Sequence, residues 1–265
     1  MHDRTFDPDI RRVGHLLADA ARAATLPYFR TAALDTENKR SDGFDPVTEA
    51  DRAAERAMRE ILARERPDDG ILGEEYGNLA GRSGLTWVLD PIDGTRGFIS
   101  GTPTWGVLIS VADGQGPFYG IIDQPYIGER FEGAPDGARH SGPMGDRPLR
   151  TRSCGSLDAA TVFTTFPEVG ALTDRQGFEA VASLARLTRY GMDCYAYALV
   201  AAGQVDLVIE AGLAAYDIQA PIAVIEAAGG IVTDWRGGPV HEGGRALAAG
   251  CSSLHAQALE ILRDY

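Results

Sequence analysis

A chain of 265 residues with 44% hydrophobic and 24% charged side chains is long enough to bury one extended core or two modest ones. Its 25 basic and 38 acidic side chains leave a net charge of −13 with no Lys- or Arg-rich run, which disfavours nucleic acid as a partner. Such a chain can still hold an anionic phosphate if some carboxylates first bind divalent cations that reverse the local field. Cys154, Cys194 and Cys251 are odd in number and far apart, and His2, His15, His140, His241 and His255 show no paired-ligand spacing. A disulfide framework and a Cys/His zinc centre are therefore not indicated.

Taken in chain order, apolar positions Val13, Leu16, Leu17, Ala20, Ala21 and Ala24 recur at helical spacing and predict an amphipathic helix over 10–30. A loop is expected at Ser41-Asp42-Gly43-Phe44-Asp45-Pro46. A second helix follows over 48–66, opened by Thr48-Glu49-Ala50-Asp51 and stopped before Pro67. A short apolar strand, Leu85 to Asp90, runs into Pro91-Ile92-Asp93-Gly94-Thr95, and strands over 105–111 and 118–123 flank an Asp113-Gly114-Gln115-Gly116-Pro117 turn as a hairpin. The Gly-, Pro- and Asp-rich stretch 133–148 marks a soft boundary between an N-terminal half, 1–148, and a C-terminal half, 149–265. Beyond it, strands over 161–165, 205–209 and 231–234 alternate with helices over 173–187, 193–202 and 217–228, an α/β pattern. No run approaches eighteen apolar residues, and Met1-His2-Asp3-Arg4-Thr5-Phe6 has neither a basic nor an apolar signal region, so a cytoplasmic protein without a membrane partner is expected.

The densest chemical signal is Asp90-Pro91-Ile92-Asp93-Gly94-Thr95, two carboxylates three residues apart at a strand end. Such a pair repels unless cations lie between, and hard oxygen ligands suit Mg²⁺; the Ile92 carbonyl would add a third oxygen. If Thr95 starts a helix, the N–H groups of Gly94 and Thr95 would hold phosphate oxygens. A plain Asp-Gly turn explains the segment equally well. Glu74 and Glu75 read alone as a solvated pair, Asp217 as a helix N-cap, and Asp51 as half of a capping box with Thr48. Trp87, Trp105, Tyr195 and Tyr197 read as core, and Arg96 as either an anion contact or a solvated arginine.

Together these segments resemble the inositol monophosphatase family of metal-dependent phosphatases, over about residues 45–250. The signatures are Trp87-Val88-Leu89-Asp90-Pro91-Ile92-Asp93-Gly94-Thr95 and Tyr216-Asp217-Ile218-Gln219-Ala220-Pro221, with Glu226-Ala227-Ala228-Gly229-Gly230 after the second and Gly73-Glu74-Glu75 upstream. Tyr216 departs from the tryptophan of many members. The resemblance implies a layered α/β sandwich, commonly a homodimer. It also implies two or three Mg²⁺ ions on Glu74, Asp90, the Ile92 carbonyl, Asp93 and Asp217, with Asp51 and Thr95 orienting the attacking water. Shared carboxylates of this kind hold metals roughly 4 Å apart.

Within the family the chain is most similar to the histidinol-phosphate phosphatase branch, through Asp93-Gly94-Thr95-Arg96-Gly97-Phe98-Ile99-Ser100-Gly101-Thr102-Pro103, Gly120-Ile121-Ile122-Asp123-Gln124-Pro125 with Gly128-Glu129-Arg130, and Tyr190-Gly191-Met192-Asp193-Cys194-Tyr195-Ala196-Tyr197. That substrate carries an ammonium and an imidazole, which call for carboxylates beyond the metal ligands. Asp193 and Glu210 are the candidates. Glu210 falls at a position that contacts the substrate alcohol in the family, and Asp193 is chosen on chemistry against the alternative of a surface ion pair with Arg189. Two rival expectations stand beside this one: a phosphatase for inositol monophosphate or a related phosphate ester, and a non-catalytic partner-binding protein that keeps the fold.

Overall fold

The computed structural model describes residues 6–31, 36–38, 46–166, 168 and 170–265. The expected 41–46 loop lies outside them except for Pro46. Helix α1 (Pro8–Thr25) is capped by Asp7, whose side chain accepts from the Asp9 N–H, and it gives way to a tight turn at Leu26–Tyr28. It starts two residues earlier and stops sooner than periodicity predicts, because Pro27 cannot extend it. Two three-residue strands, β1 (Thr36–Asn38) and β2 (Pro46–Thr48), pair antiparallel before α2 (Glu49–Glu65), whose N-cap is Thr48 as read from the sequence.

Strands β3 (Gly70–Gly73), β4 (Gly77–Leu79), β5 (Thr86–Asp93), β6 (Gly106–Asp113), β7 (Gly116–Gln124), β8 (Glu129–Ala134), β9 (Gly137–Ser141) and β10 (Arg147–Pro148) form one eight-stranded sheet, with the short α3 (Thr95–Ser100) after β5. Its order is β10-β9-β8-β7-β6-β5-β3-β4, antiparallel except for β3 beside β5. The stretch over 133–148 is thus sheet and not only loop: its Gly, Pro and Asp residues make the hairpin turns between β8, β9 and β10.

A second sheet of five strands contains β11 (Thr161–Thr164), β12 (Leu187–Tyr190), β13 (Leu207–Leu213), β14 (Ile231–Thr233) and β15 (Gly244–Ala249), ordered β12-β11-β13-β15-β14. Helices α4 (Leu172–Ala182), α5 (Asp193–Ala201), α6 (Ala215–Ala227) and α7 (Ser252–Leu262) complete the chain. The helix predicted over 173–187 therefore ends five residues early, and Leu187 opens an edge strand instead. β15 and α7 were not anticipated.

The layers follow from which face each residue presents. Val107, Ile109 and Val111 of β6 join α1 and α2 in one apolar cluster, while Leu108 points the other way into a cluster with α5 and α6. In β13, Val208 faces that same central cluster, whereas Leu207 and Ile209 pack with α4 and α7. Period-two alternation in both sheets thus builds a five-layer sandwich: α1 and α2, the eight-stranded sheet, α5 and α6, the five-stranded sheet, then α4 and α7. Helix α6 lies between two sheets and is buried without interruption from Ile218 to Ile225, so it lacks a polar stripe. It can press onto β7 because a methyl group at Gly120 would sit 2.6 Å from the Ala220 carbonyl oxygen; Gly133 clears the Ala223 carbonyl in the same way on β8.

Candidate active site

Strand β5 runs between β3 and β6 and carries Asp90, 2% exposed, and Asp93 at its carboxyl end, where the register with β6 slips. Asp90 folds back to accept the Ile92 N–H at 3.0 Å. Gly94 follows with φ 85°, a conformation that costs a side-chain residue strain, and starts α3 at Thr95 as expected. From the opposite layer, α6 projects Asp217. This residue is the third of its helix and not its N-cap; its side chain reaches back to the Ala214 N–H at 2.7 Å. Asp90, Asp93 and Asp217 each bring one oxygen to within 4.8 Å of the others. Glu74, on the turn after β3, hydrogen-bonds Asp90 and adds its charge to Asp90, Asp217 and Asp51.

Burial above all, then repulsion led by Glu74 for Asp90 and by Asp193 for Asp93, pushes both carboxyls well above the ordinary carboxylate range. Asp217 is pushed up to about 7, again chiefly by burial. A set of desolvated oxygen donors this close is destabilised by its own charge, and a hard divalent cation relieves that cost. The donor set fits such an ion, and the absence of nitrogen or sulfur from it disfavours a zinc-type site.

Asp51 closes the capping box read from the sequence and also faces Thr95. One oxygen accepts the Thr48 N–H at 2.8 Å and the Thr48 hydroxyl at 2.6 Å, closing the capping box. The other faces the Thr95 hydroxyl at 3.5 Å, which also donates to the Ile92 carbonyl at 3.1 Å. Burial raises the Asp51 pKa to about 6 against the pull of the Thr48 bonds.

Asp193 and Glu210 lie on the C-terminal side. Asp193 takes a left-handed conformation, φ 45°, at the start of α5, and its carboxyl carbon is 2.7 Å from where a Gly94 side chain would begin. It accepts the Thr104 hydroxyl at 3.3 Å. The charge that stabilises its ionised form comes from Arg96 and not Arg189, so the suggested surface pair is corrected: residue 193 is turned inward against the Gly94 turn. Burial first and Glu210 second raise it to about 6. Glu210, raised by burial, accepts the Thr165 N–H at 3.0 Å, the Thr165 hydroxyl at 2.5 Å and the Tyr197 hydroxyl at 2.8 Å.

Trp87 and Trp105 are core, as expected, but Tyr197 is core with its hydroxyl in the site. Its position one helical turn after Asp193 is a spacing that places both on one face of α5. Also unforeseen is the Cys194 N–H, which donates to Asp93 at 2.6 Å and ties α5 to the strand end; a backbone group leaves no trace in sequence. Arg96 stacks over the Phe166 ring at 4.7 Å, which makes it neither a plain solvated arginine nor a demonstrated anion contact.

A layered α/β sandwich with clustered acids at a strand end and a facing helix start defines a phosphatase of the metal-dependent class. The chain belongs to the inositol monophosphatase family, whose profile matches residues 9–265. The bifunctional phosphatase IMPL2 of Arabidopsis thaliana is 41% identical over 94% of this chain and 74% of its own. A histidinol-phosphatase of Streptomyces coelicolor is 36% identical over 97% of both chains. A solved inositol monophosphatase from Zymomonas mobilis superposes with TM-score 0.87 at 40% identity, covering 98% of this chain and 100% of that one. The protein is a phosphoric monoester hydrolase. None of its described helices is long and apolar enough to cross a membrane.

Proposed function

We propose that the enzyme hydrolyses L-histidinol phosphate to L-histidinol and phosphate, a step of histidine biosynthesis. It acts as a cytoplasmic homodimer in which residues 1–148 supply most of the metal site and 149–265 complete it. The observation carrying the substrate is the pair of neighbouring carboxylates Asp193, half-buried against the Gly94 turn, and Glu210, buried, whose hydrogen-bond partners are hydroxyl and backbone N–H groups. Anionic groups so placed complement a substrate with an ammonium and an imidazole, whereas a neutral polyol needs only hydrogen-bonding partners. Relatives named histidinol-phosphatase support the same choice.

Glu74, Asp90, the Ile92 carbonyl, Asp93 and Asp217 would hold two or three Mg²⁺ ions, which would supply Lewis acidity toward water and positive charge for the phosphate oxygens. The chain does the rest. Thr95, within reach of both Asp51 and the Ile92 carbonyl, orients the attacking water; with its single hydrogen turned to Asp51, the hydroxyl passes that proton to the carboxylate as it takes one from the water. The N–H groups of Gly94 and Thr95 bind phosphate oxygens. Attack is direct, without a phosphoenzyme.

The identity with an inositol monophosphatase from Zymomonas mobilis favours a second reading, inositol monophosphate as substrate. Phosphate release from histidinol phosphate and from inositol 1-phosphate, measured side by side with Mg²⁺ and with chelator, separates the two. Mg²⁺-dependent preference for histidinol phosphate is expected. Preference for the inositol ester would overturn the substrate and keep the site; release from neither would leave the partner-binding alternative.

A further inference from the structure

Glu55 of α2 is completely buried, yet it lies outside the acid cluster and nothing above gives it a role. It follows Asp51 by four residues, and Arg59 follows it by four more, so the three share one face of α2. One Glu55 oxygen accepts the Glu75 N–H at 2.7 Å; the other accepts the Tyr76 N–H at 3.1 Å and the Arg59 Nε–H at 2.8 Å. Arg59 also donates to the Gly77 carbonyl. Two side chains of one helix thus grip three consecutive residues, Glu75 to Gly77, of the turn that displays Glu74. On the other side the Glu74 N–H donates to the Leu89 carbonyl of β5 at 3.2 Å.

We infer that Glu55 is a positioning residue for Glu74, setting the turn so that the Glu74 carboxylate meets Asp90 before any cation arrives. The inference rests on the proposed role of Glu74 as a metal ligand. Both Glu55 oxygens are engaged by N–H donors, which disfavours Glu55 as a ligand itself, and Arg59 balances its charge so that it adds no net repulsion to the cluster. Gly73 belongs to the same device: a side chain there would collide with the Glu55 carboxylate. Because Asp51 is on the same helix face, α2 fixes the spacing between the proton acceptor and the Glu74 ligand. A preset turn spares the ordering cost that a free one would charge against ion binding.

The test uses Mn²⁺ as the probe, its uptake read from the loss of the aquo-ion signal in electron paramagnetic resonance, without substrate. Wild type and Glu74→Gln define full and impaired binding. Glu55→Gln keeps the volume but offers one oxygen where two are used, and it should weaken Mn²⁺ binding about 10- to 100-fold. The Mg²⁺ concentration for half-maximal activity should rise by the same factor, while kcat at saturating Mg²⁺ stays within about threefold. Arg59→Gln, which leaves Glu55 in place, should show a smaller shift of the same sign and decides the matter if Glu55→Gln does not fold. Wild-type Mn²⁺ affinity in folded Glu55→Gln, or in Arg59→Gln where only that variant folds, would overturn the inference. Failure of the wild type itself to take up Mn²⁺ would instead sink the metal-site reading, and the role of Glu55 with it.

Discussion

Two sets of buried acids lie on the eight-stranded sheet, and they are treated in opposite ways. Asp123 of β7 and Glu132 of β8 are almost unexposed, and each is met by basic side chains: Arg22 at 2.9 Å and Arg130 at 2.7 Å for Asp123, Arg11 at 2.6 Å and the His15 ring for Glu132. Three of these four partners come from α1. Burial pushes the Glu132 carboxyl up, but its bonds to His15 and Arg11 outweigh it and leave the pKa lowered. Asp90 and Asp93 of β5 face α2 and α6, which bring further acids, Asp51 and Asp217. An uncompensated buried charge costs several kcal/mol, and among the described residues no Lys or Arg pairs with the second set, which therefore fits a cation from outside the chain. The first set is architecture that the protein neutralises by itself.

The largest effect that would sharpen this contrast is on catalysis. Asp93→Asn should lower kcat/KM on the order of 10³-fold, about 4 kcal/mol of barrier, while the chelated protein melts no lower than wild type. Unchanged turnover in that variant would break the metal-site account. In the neutralised set the pattern should invert: Arg130→Met should destabilise by about 3 kcal/mol in denaturant unfolding, with the activity per folded molecule unchanged. The value sits at the low end of the usual range because Arg22 still reaches Asp123.

Ligand linkage gives a slightly smaller signal. Mg²⁺ at about 100 times its dissociation constant should stabilise the protein by about 2.7 kcal/mol, seen as a raised melting temperature that a chelator reverses. The increment should survive in Arg130→Met and shrink in Asp217→Asn. The smallest effect concerns pH. Glu132 has a lowered pKa when folded, so its contribution is present above its unfolded value of 4.5 and fades as pH falls through the folded one. Glu132→Gln should therefore flatten the acid limb of the stability profile of the chelated protein. An unaltered slope below about pH 4.5 would show that His15 and Arg11 do not hold its charge.

Much of this was legible without coordinates, for reasons local to the chain. Thr48 and Asp51 announce a capping box because its bonds span three residues, and the hairpin of β6 and β7 follows from alternation and a Gly-rich turn. The Asp90 to Thr95 segment, which a plain Asp-Gly turn explains equally well, stands out only through its company with Gly73-Glu74-Glu75 and the Tyr216 to Pro221 signature. The limit was reached where partners are distant. The stop of α4 and the edge strand from Leu187 depend on pairing with β11, which composition does not encode. Stretch 133–148 looked like a boundary because turn residues dominate it, although the strands between them continue a sheet that begins with β3 at Gly70.

What the sequence alone determined, then, is the inventory: acidic residues in signature segments, helices and strands set by local periodicity, and an acidic balance that disfavours nucleic acid as a partner. Only the tertiary structure decided which acids are compensated. Arg130 neutralises Asp123 across a β-ladder, Arg22 does so from a helix, and Glu55 grips a turn twenty residues away, whereas Asp217 enters the cluster of Asp90 and Asp93 from another layer with no Lys or Arg paired to it among the described residues. The physical reason is range. Helix caps and alternation are written in neighbours a few residues apart, but the cost of a buried charge depends on every group the fold gathers around it.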